Sequence, residues 1–219
     1  MSRTLSRTTL YRNAGKHLAA IDDDWALLLQ RVGPCRMQMQ EEREPYEALI
    51  RAVASQQIHG KAAAAIIARF LALYRGKAFP SPKRILATDF DTLRACGFSA
   101  RKVETIQGIA QGALADLVPS RAEAETLDDE TLIARLVQLK GIGRWTVEML
   151  LMFTLGRSDI LPVDDFGVRE GYRLMKGLPA QPKPKALGLE GLAWSPHRSI
   201  AAWYLWRANE VPEYRRQGD

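Results

Sequence analysis

Apolar residues along this chain recur almost everywhere at the helical spacing of three and four and nowhere alternate over the length of a strand, which confines the fold to packed helices. Ala48, Leu49, Ala52, Val53 and Gln56 mark one face of a helix opening near Pro45, and Ala63, Ile66, Ile67, Phe70, Leu71 and Tyr74 mark the next. Ser81-Pro82 opens a short helix through Leu86, Asp89 or Asp91 caps another that Gly97 ends, and Ser99 starts a long one to about Leu117. Asp128-Asp129-Glu130 precedes a helix from Thr131 to Leu139, where acidic side chains oppose the positive end of the macrodipole; the run reads as a helix start rather than a metal site. Pro179, Pro182 and Pro184 make Gly177 to Gly191 a surface connection. A final helix follows, capped by Ser195 with Pro196 at its first position, and runs to Glu210. No solenoid repeat is present.

The 219 residues, 47% apolar and 26% charged, form a globular composition that excludes a disordered or collagen-like chain. No apolar run is long enough to cross a bilayer, and Met1 to Tyr11 is basic without a signal-peptide core. That tail reads as a frayed basic end, with a mitochondrial transit peptide as the other reading. A net charge of +6 favours a polyanionic partner. Cys35 and Cys96 are too few for a disulfide framework or a four-thiolate site, which fits a reducing cytosol.

The informative stretch runs from Leu136 to Gly171. One helix ends at Leu139, Gly141 and Gly143 flank Ile142, and another helix begins at once. Glycines allow close approach and unusual backbone angles, and a helix start offers unpaired N–H groups, so such a turn can hold a phosphate. Taken alone, it reads more readily as a tight helix-to-helix connection. Pro162 then breaks the chain ahead of Asp164-Asp165, the second of which lies 22 residues after Gly143. A helix starting near Phe166 would accept either carboxylate as its cap.

Five segments together, EPYEALIRAVASQQI, GFSARKVETIQGIA, LKGIGRWTVEMLL, ILPVDDFGVR and WSPHRSIAAWYLWR, resemble the helix-hairpin-helix DNA glycosylase superfamily, in its alkylation-repair branch of DNA-3-methyladenine glycosylase II enzymes. The resemblance covers about Pro45 to Arg207. It implies an all-α fold of two helical lobes with the active site in the cleft between them. It also implies an N-terminal extension over 1–44, packed through Trp25, Leu27, Leu28 and Leu29, and a core over 45–219 with the hairpin at 139–146 and the last helix at 195–210. The longer bacterial relatives carry a larger N-terminal domain.

By the same resemblance the catalytic carboxylate is Asp165, with Asp164 capping or solvated. Rupture of the base–sugar bond develops oxocarbenium charge, which a fixed anion stabilises while orienting or deprotonating water. Members that also cut the backbone carry a lysine where this chain has Trp145, and Lys140 does not match that position; the resemblance therefore implies a glycosylase without lyase activity. The cysteines of the iron–sulfur branches are missing, and no metal or other cofactor is implied beyond a monovalent cation at the hairpin. Trp145 and Trp194 fall at positions that stack on a cationic alkylated base, although either also reads as core. Met149 stands where some relatives have a pocket tyrosine. Trp203 and Trp206 read as core. Gln56 and Gln57 match the wedge region that fills the gap left by an extruded base, with Gln57 inserting; a polar interhelical connection is the alternative.

DNA contacts are expected from Gly141, Gly143, Arg144 and Thr146. Arg198 is either a phosphate or interlobe contact or a salt-bridge partner of Asp164 or Glu170, and His59 reads as a surface histidine. The implied partner is double-stranded DNA with alkylated bases, met by a monomer in the cytoplasm at the nucleoid.

Overall fold

In the computed structural model, residues 6–58, 60–76 and 78–215 are described; His59 and the first five residues of the basic tail lie outside them. All regular structure among the described residues is helical, in line with the periodicity. In chain order the helices are α1 (Arg7–Ala19), α2 (Asp23–Val32), α3 (Pro45–Ser55), α4 (Gly60–Ala72), α5 (Pro82–Leu86), α6 (Phe90–Ala95) and α7 (Ala100–Leu114). There follow α8 (Arg121–Thr126), α9 (Asp129–Leu136), α10 (Arg144–Phe153), α11 (Phe166–Lys176), α12 (Pro184–Glu190), α13 (Arg198–Ala208) and α14 (Pro212–Arg215). A 3-10 turn, Gly191–Trp194, leads toward α13.

The chain divides into two compact units, one of Met1–Gln38 with Arg157–Asp219 and one of Met39–Gly156. The division expected at 44/45 therefore falls at 38/39. The N-terminal helices do pack on the rest of the chain, sharing a core with its C-terminal third. In that unit Leu18, Trp25 and Leu28 are buried together with Val168, Tyr172, Trp194 and Leu205. Leu27, expected to pack, is instead 39% exposed. The second unit buries Leu49, Ile50, Val53, Phe70, Ile106, Ile109, Leu132 and Leu151, the faces that the spacing of three and four marks out.

Local signals explain most helix ends. Asp89 Oδ2 accepts from Thr92 N at 3.1 Å, Ser99 Oγ from Lys102 N at 3.3 Å, and Asp128 Oδ1 from Thr131 N at 2.9 Å, so the acidic run does start a helix. Two expectations are corrected. The stretch from Gly177 to Gly191 contains α12, for which Pro184 serves as a first-turn residue rather than a breaker. The helix expected from Ser195 to Glu210 is α13, which begins at Arg198 and is followed by the short α14; the Ser195 hydroxyl donates to Asp159 Oδ2 at 2.8 Å instead of capping it.

The crossing of α11 and α13 is the tightest contact in the first unit. A Cβ built at Gly171 would overlap the carbonyl of Leu205, so the two backbones touch where only glycine fits. Replacing Gly171 by Ala should therefore cost about 3 kcal/mol by forcing the helices apart. Gly108 in α7, with open space around its Cβ position, should gain up to about 1 kcal/mol on the same change. Urea unfolding of the two variants measures both, and equal effects would contradict the packing.

Candidate active site

Two constellations carry the residues singled out from the sequence, one in each unit. In the second unit α9 runs into the turn at Leu139, where Ile142 is buried at 4% exposure and its amide donates to Leu139 O at 3.0 Å. Gly141 has φ of 86°, and a Cβ there would overlap Thr105 Oγ1, so this glycine is required twice over. Gly143 is the N-cap of α10 and has no side chain to cover the helix start. A cavity of about 520 Å³ opens beside the turn, lined by Gln56, Gln57, Gly141, Gly143, Trp145 and Thr146 among others. Six expected residues thus meet at one place.

Trp145 is 38% exposed at this cavity, as a stacking surface must be. Met149, one turn further along α10, lines a neighbouring recess of about 190 Å³, and Ser55 borders both. The sequence passed over Arg101, Lys102 and Thr105, which come to the same wall from α7; polar positions of a periodic helix carry no signal of what they adjoin.

Two expected DNA contacts are otherwise engaged. Arg144 donates from Nη1 to Glu130 Oε2 at 2.9 Å and from Nε to Glu148 Oε1 at 3.0 Å, and also meets Glu130 through Nη2. Glu148 is buried at 3% exposure, and a buried carboxylate needs a cation, so Arg144 ties α9 to α10. Thr146 is 2% exposed and its hydroxyl accepts from Gln56 Nε2 at 3.3 Å. Lys140 pairs with Glu104 at 3.2 Å on the surface.

In the first unit Asp165 is the N-cap of α11. Its Oδ1 accepts from Val168 N at 2.8 Å and from Trp206 Nε1, also at 2.8 Å. Asp164 is exposed beside it. The question of which acid caps the helix is answered: Asp165 does, through the oxygen that Trp206 also holds, and Asp164 is solvated. A Cβ at Gly167 would come within 2.8 Å of the Trp206 ring and 3.2 Å of Asp165 Oδ1. Asn209 Nδ2 donates to Gly167 O at 2.9 Å, so α13 grips the first turn of α11 at two points.

The same helix fixes the strap that leads to Asp165. Ser199, fully buried, donates to Arg157 O at 2.7 Å and accepts from Ile160 N at 3.0 Å. Arg198 donates to Asp159 from Nε at 2.8 Å and from Nη2 at 2.9 Å, a two-pronged pair. Its partner is thus neither Asp164 nor Glu170; Glu170 is held by Arg173 at 2.7 Å and Gln181 at 2.8 Å.

Of the two readings given for Trp194, the structure shows core packing. Trp194 is 2% exposed, edge-on to Trp25 at 5.2 Å and tilted against Tyr172 at 5.7 Å, so the faces expected to meet a base are packed on protein. Trp206, read as core, donates its indole N–H to Asp165. Among the described residues no group of three or more histidines, cysteines or acids could hold a metal, and both cysteines are free and buried.

The chain belongs to the HhH-GPD superfamily of base excision DNA repair proteins, whose pattern matches residues 50–196, the span that holds the glycine-framed turn and the carboxylate that caps α11. Among relatives, DNA-3-methyladenine glycosylase 1 of Schizosaccharomyces pombe is 47% identical over 91% of this chain and 88% of its own. The alkylbase DNA glycosidase-like protein mag2 of the same yeast is 39% identical over 98% of this chain and 100% of its own. The solved structure of S. pombe 3-methyladenine DNA glycosylase (Mag1) in complex with abasic DNA superposes with a TM-score of 0.85 at 46% identity, covering 92% of this chain and 98% of that one.

Burial works to raise the Asp159 carboxyl, but the hydrogen bonds from Arg198 and Ser195 outweigh it and hold the group below the usual carboxylate range. A depressed folded value means stability that is present above the unfolded value of about 4 and is lost as pH falls through the folded one. Asp159→Asn should therefore cost about 1.5 kcal/mol near neutrality, with the gap to wild type closing below about pH 4. Urea unfolding across that range tests it; a gap constant with pH would mean the pair does not couple to folding.

Proposed function

We propose that this chain is a DNA glycosylase of base excision repair that hydrolyses the N-glycosidic bond of alkylated purines, of the 3-methyladenine and 7-methylguanine type, flipped out of duplex DNA. The observation that carries the reading is the Asp165 carboxylate, capped onto α11 and held on one oxygen by the Trp206 N–H. A group so fixed need not reorganise when positive charge develops on the sugar, which is the condition for electrostatic stabilisation of an oxocarbenium-like transition state. It can also orient the attacking water, or take its proton, as the alkylated base departs with the bonding electrons. Alkylation at a ring nitrogen makes that base cationic and a ready leaving group. An exposed aromatic face such as Trp145 suits such a cation, with stacking of about 1–3 kcal/mol. The names of the relatives support the same substrate class.

The reaction we assign stops at the abasic site. Trp145 stands where an amine nucleophile would be needed for strand cleavage, and an indole cannot form a Schiff base. Phosphate contact falls to the backbone of the hairpin, since Arg144 and Thr146 are engaged within the protein. A monovalent cation at the hairpin belongs to this reading: held by carbonyl oxygens of the turn, it would add positive charge beside a phosphate. The protein is assigned as a monomer acting in the cytoplasm at the nucleoid; no described helix is long and apolar enough to cross a membrane.

Asp165→Asn should lower base release from methylated duplex DNA by at least about 100-fold while binding to abasic DNA stays within about threefold. With wild type, strand breaks should appear only after alkali. Breaks without alkali would refute the assignment of a monofunctional enzyme, and binding without release of any base by wild type would favour a non-catalytic DNA-binding protein or an enzyme for another lesion. Trp206→Phe, which keeps the ring and removes the donor, should slow release about tenfold with little change in binding. Unaltered single-turnover rates would show that the indole N–H does not serve Asp165.

A further inference from the structure

The turn between α3 and α4 carries Gln57 with φ of 55°, a left-handed backbone that a residue with a Cβ adopts only at a cost. Something must hold it there. Lys102, in the first turn of α7, donates from Nζ to Ala54 O at 2.9 Å and to Gln56 O at 2.8 Å. These carbonyls lie at the end of α3, where a helix leaves its last oxygens without internal partners and carries its negative pole. The lysine therefore caps α3 from another helix. Gln56, anchored through its backbone oxygen, donates its side-chain amide to Thr146 Oγ1 on α10 at 3.3 Å. The residue before Gln57 is thus held from two sides. One turn beyond Lys102, Thr105 fills the space beside Gly141 that a side chain there would need.

We propose that Lys102 is a positioning residue for base extrusion: by fixing the end of α3 it sets Gln57 in the left-handed conformation from which it can fill the gap in the duplex. This rests on the glycosylase reading above. A base pulled from the stack tends to return, and a filling side chain opposes that return only if the backbone beneath it is fixed. Lys102 itself touches neither the base nor the sugar in this assignment. Burial draws its pKa below that of an ordinary lysine, as expected for an ammonium whose hydration has been exchanged for carbonyl oxygens.

The test is a double-mutant cycle on single-turnover release of 7-methylguanine from a paired duplex. Gln57→Ala and Lys102→Met should each slow release about tenfold, and the double variant should be no more than about threefold slower than the slower single one. Lys102→Arg should stay within about threefold of wild type. Opposite an abasic-site analogue, where extrusion is cheap, the loss from Lys102→Met should shrink below about threefold. Losses that multiply to about 100-fold, or a Lys102→Met loss equal on both duplexes, would overturn the proposal. Melting curves check folding, and if Lys102→Met unfolds early, Lys102→Gln takes its place in the cycle. Should wild type release no base at all, the glycosylase reading fails by itself, and 2-aminopurine placed beside the lesion reads extrusion without chemistry. A fluorescence rise with wild type that Lys102→Met loses would still support Lys102. An equal rise with both, or none with wild type, would sink it.

Discussion

The contact of α11 with α13 at Gly171 and Leu205 is the constraint from which the geometry of Asp165 follows. Two helices whose backbones touch at one point have their neighbouring turns fixed relative to each other, since a packed interface has few alternative arrangements. One turn before Gly171, Gly167 leaves just enough room for the Trp206 ring, and the indole N–H reaches Asp165 while Asn209 takes the carbonyl of Gly167. Each of these contacts needs the one before it. A side chain at 171 would separate the helices, and the hydrogen bond to the carboxylate would lengthen before anything at Asp165 itself had changed.

The same helix governs the approach of the chain to that point. Ser199 and Arg198 clamp residues 157–160 at the start of α13, and Trp206 and Asn209 clamp 165–167 near its end. The strap between them carries Leu161 and Pro162 on an otherwise irregular path. Irregular backbone is ordinarily the mobile part of a protein. Here it is tied at both ends to one rigid rod, so the carboxylate gains the precision of a helix although it is reached through a loop.

Much of this was legible in the sequence, and what was not shares a physical cause. Helix starts at Asp89, Ser99 and Asp128 were readable because a cap is a local event spanning three residues. Gly141 was readable because glycine before a helix is a local signal, whereas the neighbours of Asp164 and Asp165 allowed either acid to cap α11, and only the family resemblance distinguished them. Trp206 was misread because its apolar spacing on α13 is that of any core residue, and only a partner 41 residues away turns it toward the site. For Trp194 the sequence left base stacking and core packing open, because the neighbours that bury it, Trp25 and Tyr172, come from distant parts of the chain. The division at 38/39 was hidden for the same reason, since joining the first helices to the last third is a long-range choice that no local signal records.

The treatment of charge at the hairpin follows from these geometries as well. A basic chain that meets a polyanion would be expected to spend its hairpin arginine on a phosphate, yet Arg144 is bound by Glu130 and by the buried Glu148. Detaching it would take its ion pair from a carboxylate that is 3% exposed, which costs more than a solvated phosphate contact returns. The arginine is therefore better understood as the bolt that sets α10 at a fixed angle to α9, and with it the glycine turn between them. In the proposed function, phosphate contact would then fall to the backbone of the turn, while the net charge of +6 acts through the long-range field, which favours a polyanion without choosing where on it to stop.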